Sequence, residues 1–459
     1  MTKDVPLNRV LGLGFGVAMA FGNTIGVGIL RLPGQVAEAV GDPAVFFAVW
    51  IVGGVYALVG ALNVGELAAM MPSVGGFYVY ARRAFGERVG FLVGWNDWVL
   101  NVVTLGYALI TAAEFLLTLT PHWKLDGVQA LASLAGVWGK SPLEWVVLAT
   151  ALLLLAAFLG LHWLGVKVGG QAQNVISASV GLVLVAMAIA GLFVSAPVAA
   201  QNAVVTPALP FWPSLIVALR LAIVSYDGWY GAIYMAEETV DAKRNVPRAM
   251  IGCAVLVTGL YLLINAGFVH ALGLAALSHS TLPAADVAKV LLPGGADQVI
   301  TVVSLLTILS LVNATFLGAP RILFAVARDG LQDSTAAHVS ASGTPRASLL
   351  ATAVVVAFLL LAGTMGQLIA IAGDLFVLNY LTAYSALLYL RWTAPEAERP
   401  FKAPGYPWTT GLVLVGSLGF LIAALWDDPT TGLSAAGLLG VGVVMSFVWR
   451  AKAGRPAVS

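Results

Sequence analysis

A single cysteine, Cys253, stands in the 459 residues, so neither a disulfide nor a cysteine-based metal framework is possible. Charge is scarce as well. Asp, Glu, Lys and Arg make up 10% of the chain, the net charge is +1, and no basic tail points to nucleic acid. The five histidines, at 122, 162, 270, 279 and 338, fall near loops without paired metal spacing. HExxH, GxSxG and Walker-type motifs are missing, and "GLGFG" (12–16) lacks the strand–turn–helix context of a nucleotide loop. No cofactor and no metal are therefore expected. Nor is there a soluble domain: the longest connections, roughly 120–142 and 273–295, are short caps.

What the chain has is apolar surface. It is 60% hydrophobic with a mean hydropathy of +0.93, too much to bury in a water-soluble fold. A span needs ~20 mostly apolar residues. Periodicity and punctuation place about twelve, at 9–31, 45–70, 89–119, 143–161, 173–195, 212–238, 249–272, 296–328, 347–363, 367–391, 408–426 and 432–450. Long unbroken runs argue against a barrel. The fold class is thus an all-α polytopic membrane protein in the lipid bilayer, one membrane domain over 1–459. The first span is expected to be retained, since no small-residue cleavage site follows "MTKDVPLNRV". With the N-terminus inside, 18 of the 23 Lys and Arg fall on inner segments and four on outer ones, with Arg220 inside a span. That asymmetry predicts a multi-pass protein of the cell membrane with both termini cytoplasmic. "STLPAADVAKVLLPG" (280–294) reads as an amphipathic lid, and "APEAERPFKAPGYP" (394–407) as a linker before the last two spans.

Two spans carry residues that a regular helix avoids. "GNTIGVGILRLPG" (22–34) places glycines at 22, 26 and 28, with Asn23 and Thr24 offering side-chain alternatives to the backbone ladder and Pro33 expected to end the segment. "IVSYDGWYG" (223–231) does the same in the sixth span and adds Asp227. These are matching positions if spans one to five (about 9–196) and six to ten (about 212–391) form two halves, with about 408–450 as two further helices. An odd number of spans per half makes the halves inverted. Paired glycine interruptions are the sequence pointer to a transporter's central site, and irregular backbone survives at membrane depth only where it is buried or lines a cavity. Gly-rich close packing is the competing reading for Gly22 and Gly26 alone.

The chemistry of such a break is specific. A half-helix starting at Gly26 exposes the N–H groups of Val27, Gly28 and Ile29 at its positive dipole end, which suits a carboxylate. Unpaired carbonyls from Asn23 to Ile25 and from Val224 to Asp227 suit an ammonium group. Together they describe the backbone of an α-amino acid. The candidate substrate-binding residues are Thr24, Ile25, Gly26, Val27, Gly28, Val224, Ser225, Tyr226, Asp227 and Gly228.

These stretches carry a family resemblance. "GNTIGVGIL" resembles the broken first helix of the amino acid–polyamine–organocation (APC) superfamily. "SYDGWYGAIYMAEETVDAKRNVPRAM" (225–250) resembles its sixth helix and following loop, and "PSVGGFYVYARRAFG" (72–86) the loop after the second. "NATFLGAPRILFAVARDG" (313–330) is similar to the end of the eighth, and "GTPRAS" (343–348) also fits. The matches run in order from 14 to 350, nearest the bacterial branch by the L-type amino acid transporters. The resemblance implies the LeuT-like 5+5 inverted repeat with helices 1 and 6 broken, alternating access and an amino acid substrate. By motif position it puts carboxylate binding on Gly26, Val27 and Gly28, and ammonium binding on the carbonyls of Thr24, Val224 and Asp227. Two departures stand out. Val27 occupies a position that is often Ser, and the fifth helix has Ser179 and Val180 where several relatives place a Lys in the cation position.

Coupling and gating candidates are Asp227, Asp97, Ser179, Ser310 and Asn313. Asp227 either carries a coupling proton, attracts the ammonium group, or caps the second half of span six. Asp97 either helps an inner gate or satisfies backbone. Thr307, Ser310 and Asn313 share a stripe, as ligands for sodium or as interhelical glue. Arg220 is expected to form a structural ion pair with a carboxylate on a facing helix, Asp97 and Glu114 being candidates, with substrate contact as the alternative. Glu237 and Glu238 read as a solvated network with Lys243, Arg244 and Arg248. Tyr226, Trp229 and Trp95 are candidates for a side-chain pocket, against packing or interfacial anchoring. The function expected is secondary transport of amino acids, with a proton or sodium as coupling ion. A related amine or polyamine is the alternative substrate. A membrane-embedded enzyme, a channel or an amino acid sensor are the other classes weighed; Asp227 has no nucleophile or metal partner, and two unique breaks are not a repeated pore lining.

Overall fold

The computed structural model describes residues 7, 9–26, 28–131, 133, 136–137, 140–196, 205–292, 294–331, 334–340, 343–362, 365–427 and 429–452, with backbone alone for 365–371, 374, 427, 431 and 449–452. Helices account for nearly all of it, because a chain in hydrocarbon satisfies its backbone within each segment. In order they are α1 (Leu13–Thr24), α2 (Gly28–Val40), α3 (Pro43–Met70), α4 (Phe77–Leu119), α5 (Pro121–Ala130), α6 (Pro142–Trp163), α7 (Val166–Gly191) and α8 (Phe211–Ser225). A 3-10 segment, Gly231–Glu238, follows. Then come α9 (Ala242–Leu272), α10 (Leu274–Ser278), α11 (Pro283–Leu291), α12 (Ala296–Arg328), α13 (Arg346–Ala362), α14 (Met365–Thr393), α15 (Trp408–Asp427) and α16 (Pro429–Lys452). Among the described residues seven helices are long and apolar enough to cross a bilayer alone, and the bent pair α1 and α2 makes an eighth.

Local sequence explains several boundaries. The Asp42 carboxylate accepts from Val45 N–H at 2.9 Å ahead of Pro43, and Ser141 forms a capping box with Glu144. Other boundaries correct the sequence reading. Pro33 does not end its segment: α2 runs through it to Val40, its missing hydrogen bond outweighed by burial of Ile29, Leu30, Gly34, Val36 and Ala37. Gly34 lets α2 press on the 277–283 strap, where an added Cβ would stand 3.0 Å from the Leu277 carbonyl. The stretch 72–86 is a turn followed by helix, and the helix kinks at Gly86, whose φ is 87°. The lid region is helical in α11 and buries Pro283, Ala284, Ala285, Val287 and Ala288.

One apolar core runs through the bundle. In it α4 packs on α12 and α14, α3 on α9, α7 on α9 and α12, α2 on α8, and α1 on α7, α9 and α12.

Charge gathers at the end of the bundle that carries residues 9–11, and it is less solvated than its sequence suggested. Glu238 is buried against Arg321, with N–O distances of 2.6 and 3.1 Å. Glu237 pairs with Arg328 at 2.8 Å instead of the nearby Lys243, Arg244 and Arg248, and accepts from Val74 N–H at 3.2 Å. Val10 and Leu11 N–H both donate to the Glu238 carbonyl at 3.0 Å, and Val240 N–H donates to Leu11 at 2.8 Å, tying the N-terminal segment to the chain after the 3-10 segment. The linker is docked rather than loose. Fully buried Glu66 takes Arg391 at 2.6 and 2.7 Å, Arg399 at 3.1 Å and Ala403 N–H at 2.7 Å.

Candidate functional site

Both glycine-rich spans are interrupted. α1 stops at Thr24, whose hydroxyl bonds back to the Ala20 carbonyl at 2.9 Å. Ile25 turns extended (φ −78°, ψ 99°), Gly26 bends, and α2 restarts at Gly28 with its axis 49° from that of α1. In the other span α8 stops at Ser225. Tyr226 N–H reaches both the Ala222 and Ile223 carbonyls at 3.1 Å, and Asp227 N–H bonds Val224 at 3.2 Å. Past Gly228 (φ 108°) the chain continues as the 3-10 segment rather than as α-helix.

The two breaks touch. Asn23 Nδ2 donates to the Gly228 carbonyl at 3.2 Å. A Cβ on Gly228 would lie 2.6 Å from the Asn23 carbonyl carbon and 2.8 Å from Thr24 N, so only glycine satisfies both the positive φ and the approach. Gly228→Ala is expected to cost stability: about 1–2 kcal/mol for the left-handed residue and about 1–3 kcal/mol for overpacking. A fall in thermal unfolding midpoint together with loss of uptake checks this.

Between the breaks lies a cavity of about 190 Å³. Thr24, Gly26, Gly28, Val224, Ser225 and Asp227 line it, as the sequence led us to expect. Ser225 Oγ is buried there without a hydrogen-bond partner. The Asp227 carboxylate accepts from Tyr380 Oη at 2.5 Å and Tyr230 Oη at 3.4 Å. Gly28 opens α2, whose first N–H groups have no partner within the helix, so the cavity meets a positive helix end.

Other expected residues sit elsewhere. Ile25 is fully buried outside the lining. Gly228 supports the site from behind. Tyr226 packs on Trp50 and Tyr261 and donates to the Trp50 carbonyl at 3.0 Å. Trp229 stacks on Tyr380, and Trp95 bonds the Leu438 carbonyl at 2.9 Å. Val27 lies outside the described residues.

Missed by the sequence reading were Asn101, Thr104 and Tyr107 of α4, Ile308 and Leu311 of α12, Tyr230, and Phe376 of α14. A signal was available for α4: Asp97, Asn101 and Thr104 fall at four- and three-residue spacing on one face of "WNDWVLNVVTLGY".

Asp97 is fully buried, one turn from Asn101, and does not line the cavity. Arg220 pairs with neither Asp97 nor Glu114; its guanidinium lies 5.7 Å over the Phe420 ring. Ser310 and Asn313 also stand apart from the cavity. α7 holds both residues, although Asn313 Oδ1 is itself buried without a hydrogen-bond partner: Gln173 Nε2 lies 2.8 Å from Ser177 Oγ, 3.1 Å from Ser310 Oγ and 3.2 Å from the Ala18 carbonyl. Asn313 Nδ2 donates to Gln173 Oε1 at 2.7 Å. An amide nitrogen thus occupies the point where the Ala18, Ser177 and Ser310 oxygens converge, joining α1, α7 and α12. Ser179, the residue singled out on that helix, is half-buried on another face, while Gln173 and Ser177 reach the Ala18 carbonyl of α1.

A many-helix bundle with two interrupted spans meeting at a partly polar cavity is the architecture of a membrane transport protein. The chain belongs to the amino acid permease family, whose profile matches residues 16–447. It is 28% identical to the serine/threonine exchanger SteT of Bacillus subtilis, over 96% of this chain and 97% of that one. It is 27% identical to the human large neutral amino acids transporter small subunit 2, over 97% of this chain and 81% of that one. The human b(0,+)-type amino acid transporter 1 is 26% identical over 88% and 80%. The protein is an amino acid permease with the LeuT-like architecture of the APC superfamily, not an enzyme.

Proposed function

We propose that the protein moves a neutral α-amino acid across the cell membrane by alternating access, with both termini cytoplasmic. Gly26, Val27 and Gly28 receive the substrate carboxylate on their N–H groups. The carbonyls of Thr24, Val224 and Asp227, with the Asp227 carboxylate, receive the ammonium group. The halves that rock are about 9–196 and 212–391, the remaining helices at about 408–450 flanking them. One observation carries this reading: the positive end of α2 and the Asp227 carboxylate line the same cavity of about 190 Å³. No Lys or Arg side chain lines that cavity among the described residues, which favours a neutral substrate over an acidic one. The names of the exchanger and of the large neutral amino acids transporter point the same way. The 3-10 segment that follows the second break is clasped to α12 by Glu238 with Arg321, so the opening step toward the cytoplasm is its withdrawal from α12.

Saturable uptake of radiolabelled L-serine or L-leucine into proteoliposomes, competed by unlabelled amino acid, tests the proposal. Absence of uptake and counterflow for every neutral amino acid would reject it. Within it, Asp227→Asn keeps an acceptor for Tyr380 but removes the charge that meets the ammonium group. Charge-assisted bonds contribute about 1.5–3 kcal/mol, so apparent affinity is expected to fall roughly 10–100-fold. A hydroxy-acid analogue without the ammonium group should bind both proteins alike in a competition assay.

A further inference from the structure

Three carboxyl side chains are fully buried among the described residues, and two of them meet cations: Glu66 meets Arg391 and Arg399, Glu238 meets Arg321. Asp97 meets none. Its Oδ1 accepts from Tyr234 Oη at 2.7 Å, Asn379 Nδ2 at 2.9 Å and Asn101 Nδ2 at 3.4 Å, all neutral groups. Its Oδ2 is buried with no hydrogen-bond partner. The titratable groups around it are Tyr80 on α4, Tyr234 on the 3-10 segment, and Tyr230 and Asp227 in the turn before that segment. α14 contributes Asn379. No Lys or Arg side chain stands in this ring among the described residues. Burying a carboxylate without a cation costs several kcal/mol. A proton on Oδ2 removes that cost and leaves every donor on Oδ1 in place.

Position makes the proton consequential. Asn101 lines the substrate cavity and also donates to the Asp97 carbonyl at 2.7 Å. Tyr234, the shortest donor to Asp97, belongs to the 3-10 segment that the Glu238–Arg321 pair clasps. Asn96 and Asn379, joined at 2.8 Å, line a second cavity of about 170 Å³ between α4, α14 and α16.

We infer that Asp97 is the proton-binding site that couples amino acid uptake to a proton gradient, resting on the transport reading above. With the 3-10 segment docked the side chain is a neutral carboxylic acid. When the segment withdraws, Tyr234 leaves, water reaches the carboxyl, and the O–H bond breaks to give a carboxylate and a hydrated proton on the cytoplasmic side. Linkage requires the converse: a bound proton favours the docked state, because only that state buries the group.

Reconstituted full-length protein tests this with L-serine and L-leucine as probes and a pH dye inside the vesicles. One-to-one coupling to a one-unit inward proton gradient sustains about tenfold accumulation. Asp97→Asn, which mimics the protonated form, is expected to lose accumulation and proton influx yet keep counterflow within about twofold. Infrared spectra read the proton without transport: wild type should show a protonated carboxyl band at neutral pH that Asp97→Asn lacks. Counterflow with no response to the gradient, proton influx surviving in Asp97→Asn, or the absence of that band overturns the inference while leaving the transport reading intact. Failure of both probes in counterflow as well as uptake instead counts against the transport reading, and the infrared comparison then still decides the proton.

Discussion

Gly28→Leu is expected to abolish amino acid uptake in a protein that remains folded, while Gly28→Ala leaves much of it. The contrast comes from geometry. A Cβ at position 28 would stand 3.5 Å from Leu32 Cδ1 and 3.5 Å from Ser225 Oγ, ordinary contact that alanine fits. The further carbons of leucine have no such room and enter the cavity at the mouth of α2, where the carboxylate has to sit. Losing two charge-assisted bonds of about 1.5–3 kcal/mol each lowers affinity by roughly 100-fold or more. Equilibrium binding of a radiolabelled neutral amino acid, alongside size-exclusion profiles of both variants, checks it. Unchanged affinity in Gly28→Leu would move the carboxylate site away from this helix end.

The second large effect concerns the clasp between the 3-10 segment and α12. Arg321→Ala leaves Glu238 buried with no cation, a loss of about 3–5 kcal/mol. The partner exposures of 3% and 1% mean solvent does little to soften it. The double variant Arg321→Met with Glu238→Gln removes both charges and should recover most of the stability, since the cost lies in the unpaired charge. Denaturation midpoints of wild type, both single variants and the double variant measure the coupling. Function should follow differently from stability. A 3-10 segment no longer held to α12 by charge samples the opened state more often, so the double variant is expected to exchange substrate faster at low temperature. Equal loss in single and double variants would mean that the pair holds no charge-based clasp.

The sites of failure in the sequence reading have a common character. Glu237 and Glu238 sit beside Lys243, Arg244 and Arg248 in the chain, so a local network looked sufficient; their partners, Arg328 and Arg321, come from a helix some eighty residues away. Arg220 likewise rests on Phe420, from the last part of the chain. Ser179 carried the fifth-helix position by motif alignment, but the face of α7 that bonds α1 is set by how α7 packs on α1 and α12, and that face presents Gln173 and Ser177 to the Ala18 carbonyl. Pro33 is a helix breaker by local rules and is overridden by the burial around it.

From the sequence alone came the membrane class, the places where two helices come apart, and the residue types bared there, because hydrophobicity, glycine content and backbone donors act locally along the chain. Tertiary structure decided which side chains share the cavity, and which buried carboxyl groups among the described residues meet cations and which do not. Those outcomes depend on helix rotation and on contacts between segments hundreds of residues apart, where a turn of one residue exchanges a cavity wall for a lipid-facing surface.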